Sequence, residues 1–392
     1  MMKKALFYFL MLFPLLCLTA CSKDDNDSSN DEKDTPQNDE IAVVIGEDGK
    51  TSNGSLYVPI DDKSFYLDYI KYSVEESHLA VTGHDKTGLK KDAQIVSKIT
   101  WKGSTYTVCT IKSRAFYDCK ELLSITIPNS VTRIDTLSFY NCLSLRSVEL
   151  PHNLTTIGSA AFEGCDALSC IIIPKSVTSI GDAAFSWCMS IVSIVVEDGN
   201  SIYDSREQCN AIIESKSGKM IAACQNTTFP QSVNAIGRYA FQGCQRLVSI
   251  TIPNTIRSIG DHAFTYCSSL VDISLPNTIT KIDDHTFHGC GQLTEIAIPN
   301  SVRSIGERAF YLCKSLTSLT IPSKITSIGN NAFLACIKLN EIHSEIVFPF
   351  VIDASVFDSK NYYNATLYVP SNSLSRYKNT ASWSEFQNIV GE

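Results

Sequence analysis

The chain has little of what catalysis and metal binding usually require. Only seven histidines occur in 392 residues, and none forms an H-E-x-x-H pair. There is no G-x-S-x-G elbow and no phosphate-cradling P-loop. Fifteen cysteines are present, yet no C-x-x-C or C-x-x-H pair gives them the spacing of a zinc site. Hydrolytic, phosphoryl-transfer and structural-zinc chemistry therefore have no motif to start from. The chain reads as non-enzymatic, with no cofactor and no metal. Charge is sparse too, at 19% of residues, and the formal net charge is −8. Residues 22–40 contribute −6 and the first residues +2, which leaves −4 for residues 41–392. Such a near-neutral body offers no electrostatic footprint for nucleic acid. The apolar run Ala5–Leu18 is too short for a comfortable membrane span.

What is present is a repeat. Phe-x-x-Cys returns nine times, mostly 23 residues apart: Phe116/Cys119, Phe139/Cys142, Phe162/Cys165, Phe185/Cys188, Phe241/Cys244, Phe264/Cys267, Phe287/Cys290, Phe310/Cys313 and Phe333/Cys336. A fixed period of this size marks a stacked array. One full copy runs Ile305-Gly306-x-x-Ala309-Phe310-x-x-Cys313-x-x-Leu316-x-x-Leu319-x-Ile321-Pro322. The L-x-x-L-x-I segment alternates like a short strand with one face inward. The proline that follows ends the ladder. Gly at the Ile-Gly step predicts a sharp bend. The Ala-Phe pair predicts a short helical turn that sends one ring inward. No coil has enough apolar side chains to fold alone, so stability is expected from coil-on-coil contact.

The motif I-G-x-x-A-F-x-x-C-x-x-L-x-x-I-x-I-P resembles the BspA-like leucine-rich repeat of bacterial surface proteins. The resemblance runs from Ile111 to about His343. It implies a β-rich, right-handed, curved leucine-rich repeat solenoid with coils of about 23 residues, and an association with adhesion to host or bacterial surfaces.

The nine ladder cysteines read as a column of small buried thiols. Strands one coil apart hold Cβ atoms about 4.8 Å apart, whereas a disulfide needs about 3.8 Å. Cys209 and Cys224 differ. If Ser215 to Gly218 is a four-residue loop, Glu214 faces Lys219, and the same register puts Cys209 opposite Cys224. A disulfide and a pair of core thiols both fit that placement.

The period breaks once. Phe185 and Phe241 are 56 residues apart, which places an insert at 197–228. Tyr203, Asp204 and Arg206 lie in it, in a Y-D-S-R-x-x-C-N-A-I-I stretch like inserts of the BspA-like family. A protruding hairpin, a structural turn network and a contact site are the readings open here.

The N-terminus reads as a lipoprotein leader. Lys3 and Lys4 precede the apolar run, and Leu18-Thr19-Ala20-Cys21 resembles the bacterial lipobox, which makes Cys21 the lipidated residue. Ser22-Lys23-Asp24-Asp25 resembles the acidic export signal of Bacteroidota surface lipoproteins. The expected organisation is a signal peptide (1–20), lipidated Cys21 with an acidic disordered tether (21–40), a small β domain or N-cap (41–110), the repeats (111–343) and a C-terminal cap (344–392). The cap is expected to carry one or two short helices between Ser371 and Asn388, with aromatics facing the last coil.

Two surface columns could bind something. Tyr117, Tyr140, Trp187, Tyr266 and Tyr311 follow the ladder phenylalanines and form either an exposed aromatic edge or packing between coils. His262 and His285 are one period apart and should stack, with Asp261, Asp284 and His288 nearby. These readings add up to a monomeric, outer-membrane, surface-exposed lipoprotein. Its expected role is adhesion through contact with a host matrix or cell-surface protein. A glycan-capturing lipoprotein in polysaccharide uptake and an architectural envelope protein are the alternatives.

Overall fold

The computed structural model describes residues 41–392. The expected signal peptide, lipidated Cys21 and acidic tether lie outside the described residues. The repeat winds into a β-solenoid in which most coils lay down two short strands. The first is the one that the alternation predicts. Ser124–Thr126 pairs in parallel with Ser147–Val148, Cys170–Ile173 with Ser193–Val196, Ser249–Thr251 with Asp272–Ser274, and Ser318–Ile321 with Glu341–Ser344. Within Ser193–Val196, Ile194 and Val196 are buried while Val195 faces out. The second ladder goes beyond the sequence reading. It consists of two-residue strands such as Arg133–Ile134, Thr156–Ile157 and Ser179–Ile180, each paired in parallel with the next.

The Ala-Phe segment departs from expectation, because it is not helical. Its backbone donors alternate between two directions. Tyr117 and Cys119 donate within the coil, to the carbonyls of Arg114 (3.1 Å) and Phe116 (3.3 Å). Phe116 and Asp118 instead donate to Ser138 and Tyr140 of the next coil, both at 2.8 Å. A helix would keep all of these bonds internal. The residues two before and two after each ladder phenylalanine also have positive φ, for instance Arg114 (63°) and Asp118 (61°), or Ala183 (58°) and Trp187 (59°). A left-handed residue stops a right-handed helix from propagating. The segment is thus a flat double turn whose free donors join coil to coil.

The Ile-Gly step has a different cause from the bend first inferred. Gly181 and Gly306 do not adopt positive φ. They lie against the backbone of the preceding coil: a Cβ on Gly181 would sit 2.3 Å from the Ser159 nitrogen, and one on Gly306 would sit 2.6 Å from that of Asp284. At these two positions clearance between coils, rather than backbone conformation, favours the small residue, whereas Asp135 and Asp283 fill the same place in other coils.

The phenylalanines stack face to face through the interior. Phe116–Phe139 and Phe139–Phe162 have centroids 5.1 Å apart and nearly parallel planes. Phe310–Phe333 repeats this at 5.2 Å. Each ladder cysteine is a free thiol. Most of them turn the sulfur to the phenylalanine carbonyl of the coil before: Cys142 to Phe116 (3.2 Å), Cys165 to Phe139 (3.3 Å), Cys313 to Phe287 (3.3 Å) and Cys336 to Phe310 (3.2 Å). Burial pushes the Cys165 and Cys313 thiols above their usual range, so they stay neutral donors.

Both ends are capped by chain that continues the ladders. Asp92–Gln94 starts the first ladder by pairing with Ser124–Thr126, and Ser104–Ile111 starts the second by pairing with Arg133–Ile134. Ser104–Ile111 is reached from Lys98–Trp101 through the two-residue turn Lys102-Gly103, with φ of 51° and 76°. Beyond it, Tyr57–Pro59, Ser64–Leu67, Ile70–Glu75 and His78–His84 form an antiparallel meander. His84 closes the phenylalanine stack, its ring 5.9 Å from Phe116. At the other end, Thr366–Val369 and Asn388–Gly391 add two more strands to the first ladder. Phe357 extends the stack, 5.4 Å from Phe333. Trp383, Phe386 and Tyr362 then cover Phe357. The region carries the short helices Ser359–Asn364 and Leu374–Asn379.

Candidate binding surface

The insert is the first place where the repeat departs from itself. The loop Ser215 to Gly218 joins Ala211–Glu214 to Lys219–Ala223, and Glu214 faces Lys219 as the sequence predicts. The hairpin does not protrude. Lys219–Ala223 is spliced into the second ladder, parallel to Ala235–Ile236, and Ile212, Ile213 and Met220 are fully buried. A register shift after Ile212 pairs Ala211 with Ala223 and so moves Cys209 out of line with Cys224. Both are free thiols. They belong to different core clusters: Cys209 packs with the C-terminal coils and Cys224 with the N-terminal ones. Burial raises each thiol to about 11.

Tyr203, Asp204 and Arg206 are engaged inside the fold. Tyr203 is buried, and its hydroxyl accepts the Ile180 N–H at 3.1 Å. The Arg206 guanidinium forks onto both Asp204 oxygens, at 2.7 and 2.5 Å, and also donates to the Ser215 carbonyl (3.1 Å) and the Ser232 hydroxyl (3.0 Å). This bidentate pair clamps the hairpin loop to the next coil. Although burial of Asp204 acts against ionisation, the hydrogen bonds from Arg206 and Ser215 hold its carboxyl below the usual range.

The five aromatic residues do not make one edge. Tyr117 and Tyr140 stack on each other, 5.0 Å apart and 11° from parallel, and Arg114 lies over Tyr117. Trp187 and Tyr266 come together at 5.1 Å although the insert separates them in sequence. Tyr266 then meets His288 at 5.0 Å, and His288 meets Tyr311 at 4.9 Å. The sequence reading missed that His288 links these rings. Each ring is engaged by a neighbouring ring, face to face for Tyr117–Tyr140 and edge-on (75°) for His288–Tyr311, unlike an isolated open face that stacks on a sugar.

Glycine makes room for the column. Trp187 and Tyr266 sit two residues after their ladder phenylalanines, and the same place in the following coil is Gly243 and Gly289. A Cβ on Gly289 would lie 2.6 Å from the Tyr266 ring. Positive φ alone does not demand glycine there, because Leu312 (64°) and Ala335 (62°) occupy the equivalent place. Gly289→Ala is therefore expected to cost about 1–3 kcal/mol, and much less when Tyr266 is also alanine. A urea-denaturation double-mutant cycle measures this; additive single effects would refute the steric account.

The histidines stack as predicted. His262 and His285 are 4.4 Å apart and 10° from parallel, and His288 lies 5.5 Å from His285. Tyr239 flanks His262 at 5.0 Å. The neighbouring carboxylates are engaged elsewhere: Asp261 pairs with Arg238 at 2.7 Å, and Asp284 accepts the Glu307 N–H at 2.7 Å. Among the described residues, no three His, Cys, Asp or Glu side chains gather into a metal site. Burial and the adjoining His285 push His262 below the usual imidazole range, and burial with its histidine neighbours lowers His288 from 6.5 to about 4. A folded-state pKa below the unfolded one means that the unfolded chain takes up the proton first. This contribution to stability is complete above pH 6.5 and is lost as pH falls toward 4. His288→Asn should flatten the fall in urea midpoint between those two pH values; parallel wild-type and variant curves would contradict the assignment.

The chain matches the model of the BspA type leucine rich repeat region over residues 109–214 and 211–340, in six copies. It belongs to that family. Solved structures of similar fold include the pneumococcal vaccine antigen PcpA, 22% identical, covering 84% of this chain and 98% of that one with a TM-score of 0.58. A leucine-rich repeat protein from Eubacterium ventriosum is 18% identical, covering 73% and 90%, with a TM-score of 0.52. A leucine rich cell surface protein from Faecalibacterium prausnitzii is 24% identical over 73% and 95%, with a TM-score of 0.48. Comparison with curated proteins gives no sequence match.

Proposed function

We propose that this chain is a non-catalytic binding protein displayed on the cell surface, and that it serves as an adhesin toward a host matrix or cell-surface protein. The observation that carries this reading is how the repeat uses its residues. The ladder phenylalanines and thiols are spent on coil-to-coil packing, and the first ladder exposes mostly small hydroxylated side chains, with Ile172 and Val195 among them and no deep cleft among the described residues. Ser124, Ser249, Thr251, Ser274 and Thr320 are among its outward residues. Extended faces of this kind suit binding to a large partner rather than turnover of a small one. Family membership and the surface and antigen descriptions of structural relatives support the same reading. In this proposal Cys21 carries the lipid, and residues 22–40 tether the monomeric array to the outer membrane.

Residues 41–392 carry their own caps and can be tested as a soluble chain. Immobilised matrix proteins and glycans should be screened together. Saturable binding to a matrix protein is expected, whereas glycan binding alone would overturn adhesion to protein. Protease shaving of intact cells tests display, and full protection of the chain would rule it out.

A further inference from the structure

On the first ladder's face, coils are stitched by backbone bonds such as Val192 N–H to Ser169 O (3.0 Å) and Val271 N–H to Val248 O (2.8 Å). The ladder is interrupted at several coils, and beside the insert it loses its backbone bonds altogether. No backbone hydrogen bond joins residues 225–229, the last part of the insert coil, to Ser249–Thr251 of the next coil. The 225–229 segment is pulled the other way. Asn226 Nδ2 donates to Val192 O (3.2 Å), Thr228 N–H to Cys209 O (3.0 Å) and Thr227 Oγ1 to Asn210 O (2.8 Å). Ser249–Thr251 therefore pairs with Asp272–Ser274 on one side only. Its other edge borders a shallow depression of about 400 Å³ lined by Thr227, Thr228, Phe229, Ser249, Ile250 and Thr251.

Groups facing that edge follow from the alternation of a strand. Ile252 N–H is bonded toward the next coil, to Ser274 O at 3.0 Å. Ser249 and Thr251 then turn their N–H and C=O groups toward the depression. Exposed aliphatic side chains lie on the coils to either side: Ile172 (41%) and Val195 (40%) before it in the chain, Val248 (56%) and Val271 (40%) on the coils that follow. An unpaired strand edge bordered by apolar side chains is what an extended chain adds to in strand-addition complexes. A sugar has no comparable alternation of donors and acceptors to offer.

We propose that an extended segment of a partner polypeptide docks here by strand addition, pairing its main chain with Ser249–Thr251 and laying alternate apolar side chains against the flanking aliphatics. This rests on the protein-binding reading above and gives it a place and a mode. Phage-displayed random linear peptides are the probe, panned on the chain from residue 41. Two variants test the site: Thr251→Pro removes one donor from the free edge, and Thr228→Arg fills the depression from an exposed position. Selected peptides should bind both variants at least about tenfold more weakly, and amide exchange at Ser249 and Thr251 should slow on binding. Equal affinity for Thr228→Arg, self-association of the chain through this edge, or selection of no peptide at all would overturn the proposal. The two readings fail separately. A matrix protein bound equally by wild type and both variants removes the site and leaves adhesion standing. Peptide binding here without any matrix-protein ligand does the reverse.

Discussion

Phe264→Ala is expected to lower unfolding free energy by about 3–5 kcal/mol, the usual range for emptying a buried aromatic site. Phe264 is fully buried between Phe241 (4.8 Å) and Phe287 (5.6 Å), so removal of its ring strips both neighbours of a stacking partner. The coils cannot easily collapse into the space, because their spacing is held by the pairing of Ser249–Thr251 with Asp272–Ser274 and by turn bonds such as Phe264 N–H to Thr286 O (2.9 Å). The cost should also be confined. The phenylalanine stack is interrupted at the insert, and the buried apolar residues divide into a C-terminal cluster that contains Phe264 and an N-terminal one that does not. In a nearest-neighbour array, stability is a sum of coil and interface contributions. Urea unfolding of the variant should separate into two transitions, with the earlier one belonging to the C-terminal cluster. Hydrogen exchange resolves them: faster opening around Phe287 and Phe310 with unchanged protection around Phe139 is the expected result. A uniform loss of protection would mean that the clusters fold as one unit.

Trp383→Ala should be of similar size, about 3–5 kcal/mol, and should act from the end inward. Trp383 is fully buried, and its indole N–H donates to the Phe350 carbonyl at 2.9 Å. It packs on Tyr377 (5.3 Å) and, with Tyr362 and Phe386, shields Phe357, the last ring of the stack. Without it, the open end of the array exposes apolar surface that a solenoid must cover. The variant should fray first at Thr366–Val369 and Asn388–Gly391, and it should bind a hydrophobic dye such as ANS before global unfolding. Unchanged exchange in those two strands would contradict a capping role.

The sequence carried the architecture because the architecture is periodic. Nine Phe-x-x-Cys units named the rings and thiols of the interior. The two-residue strands of the second ladder escaped because so short a segment shows no alternation. Phe357 escaped because its coil has Lys360 where the others have cysteine, and His84 because it precedes the repeat. The helical turn was misjudged because left-handed backbone at Arg114, Leu137 or Ala160 leaves no mark in residue type. At the insert, the hairpin loop could be read from turn chemistry, but the register shift after Ile212 could not. The aromatic column was legible in composition only. Its division falls at the Phe162 coil, which has Glu163 and Gly164 where the neighbouring coils carry a ring. The Gly243 and Gly289 partners of Trp187 and Tyr266 were a readable signal, because a large residue is followed one period later by glycine.

The missing stitches beside Ser249–Thr251 also bear on load. Bonds between coils, such as Phe139 N–H to Ala161 O at 2.8 Å, run along the array, so a chain held at one end and gripped at the other carries tension through them in series. A series of links parts at its weakest member. Here the weak members include the junction between residues 225–229 and 248–251, which lacks backbone bonds in the first ladder, and that between Ser258–Ile259 and Lys281–Ile282, which lacks them in the second. Under force the array should divide at these junctions before the fully bonded ones, leaving intact stacks joined by extensible stretches of chain that absorb the load.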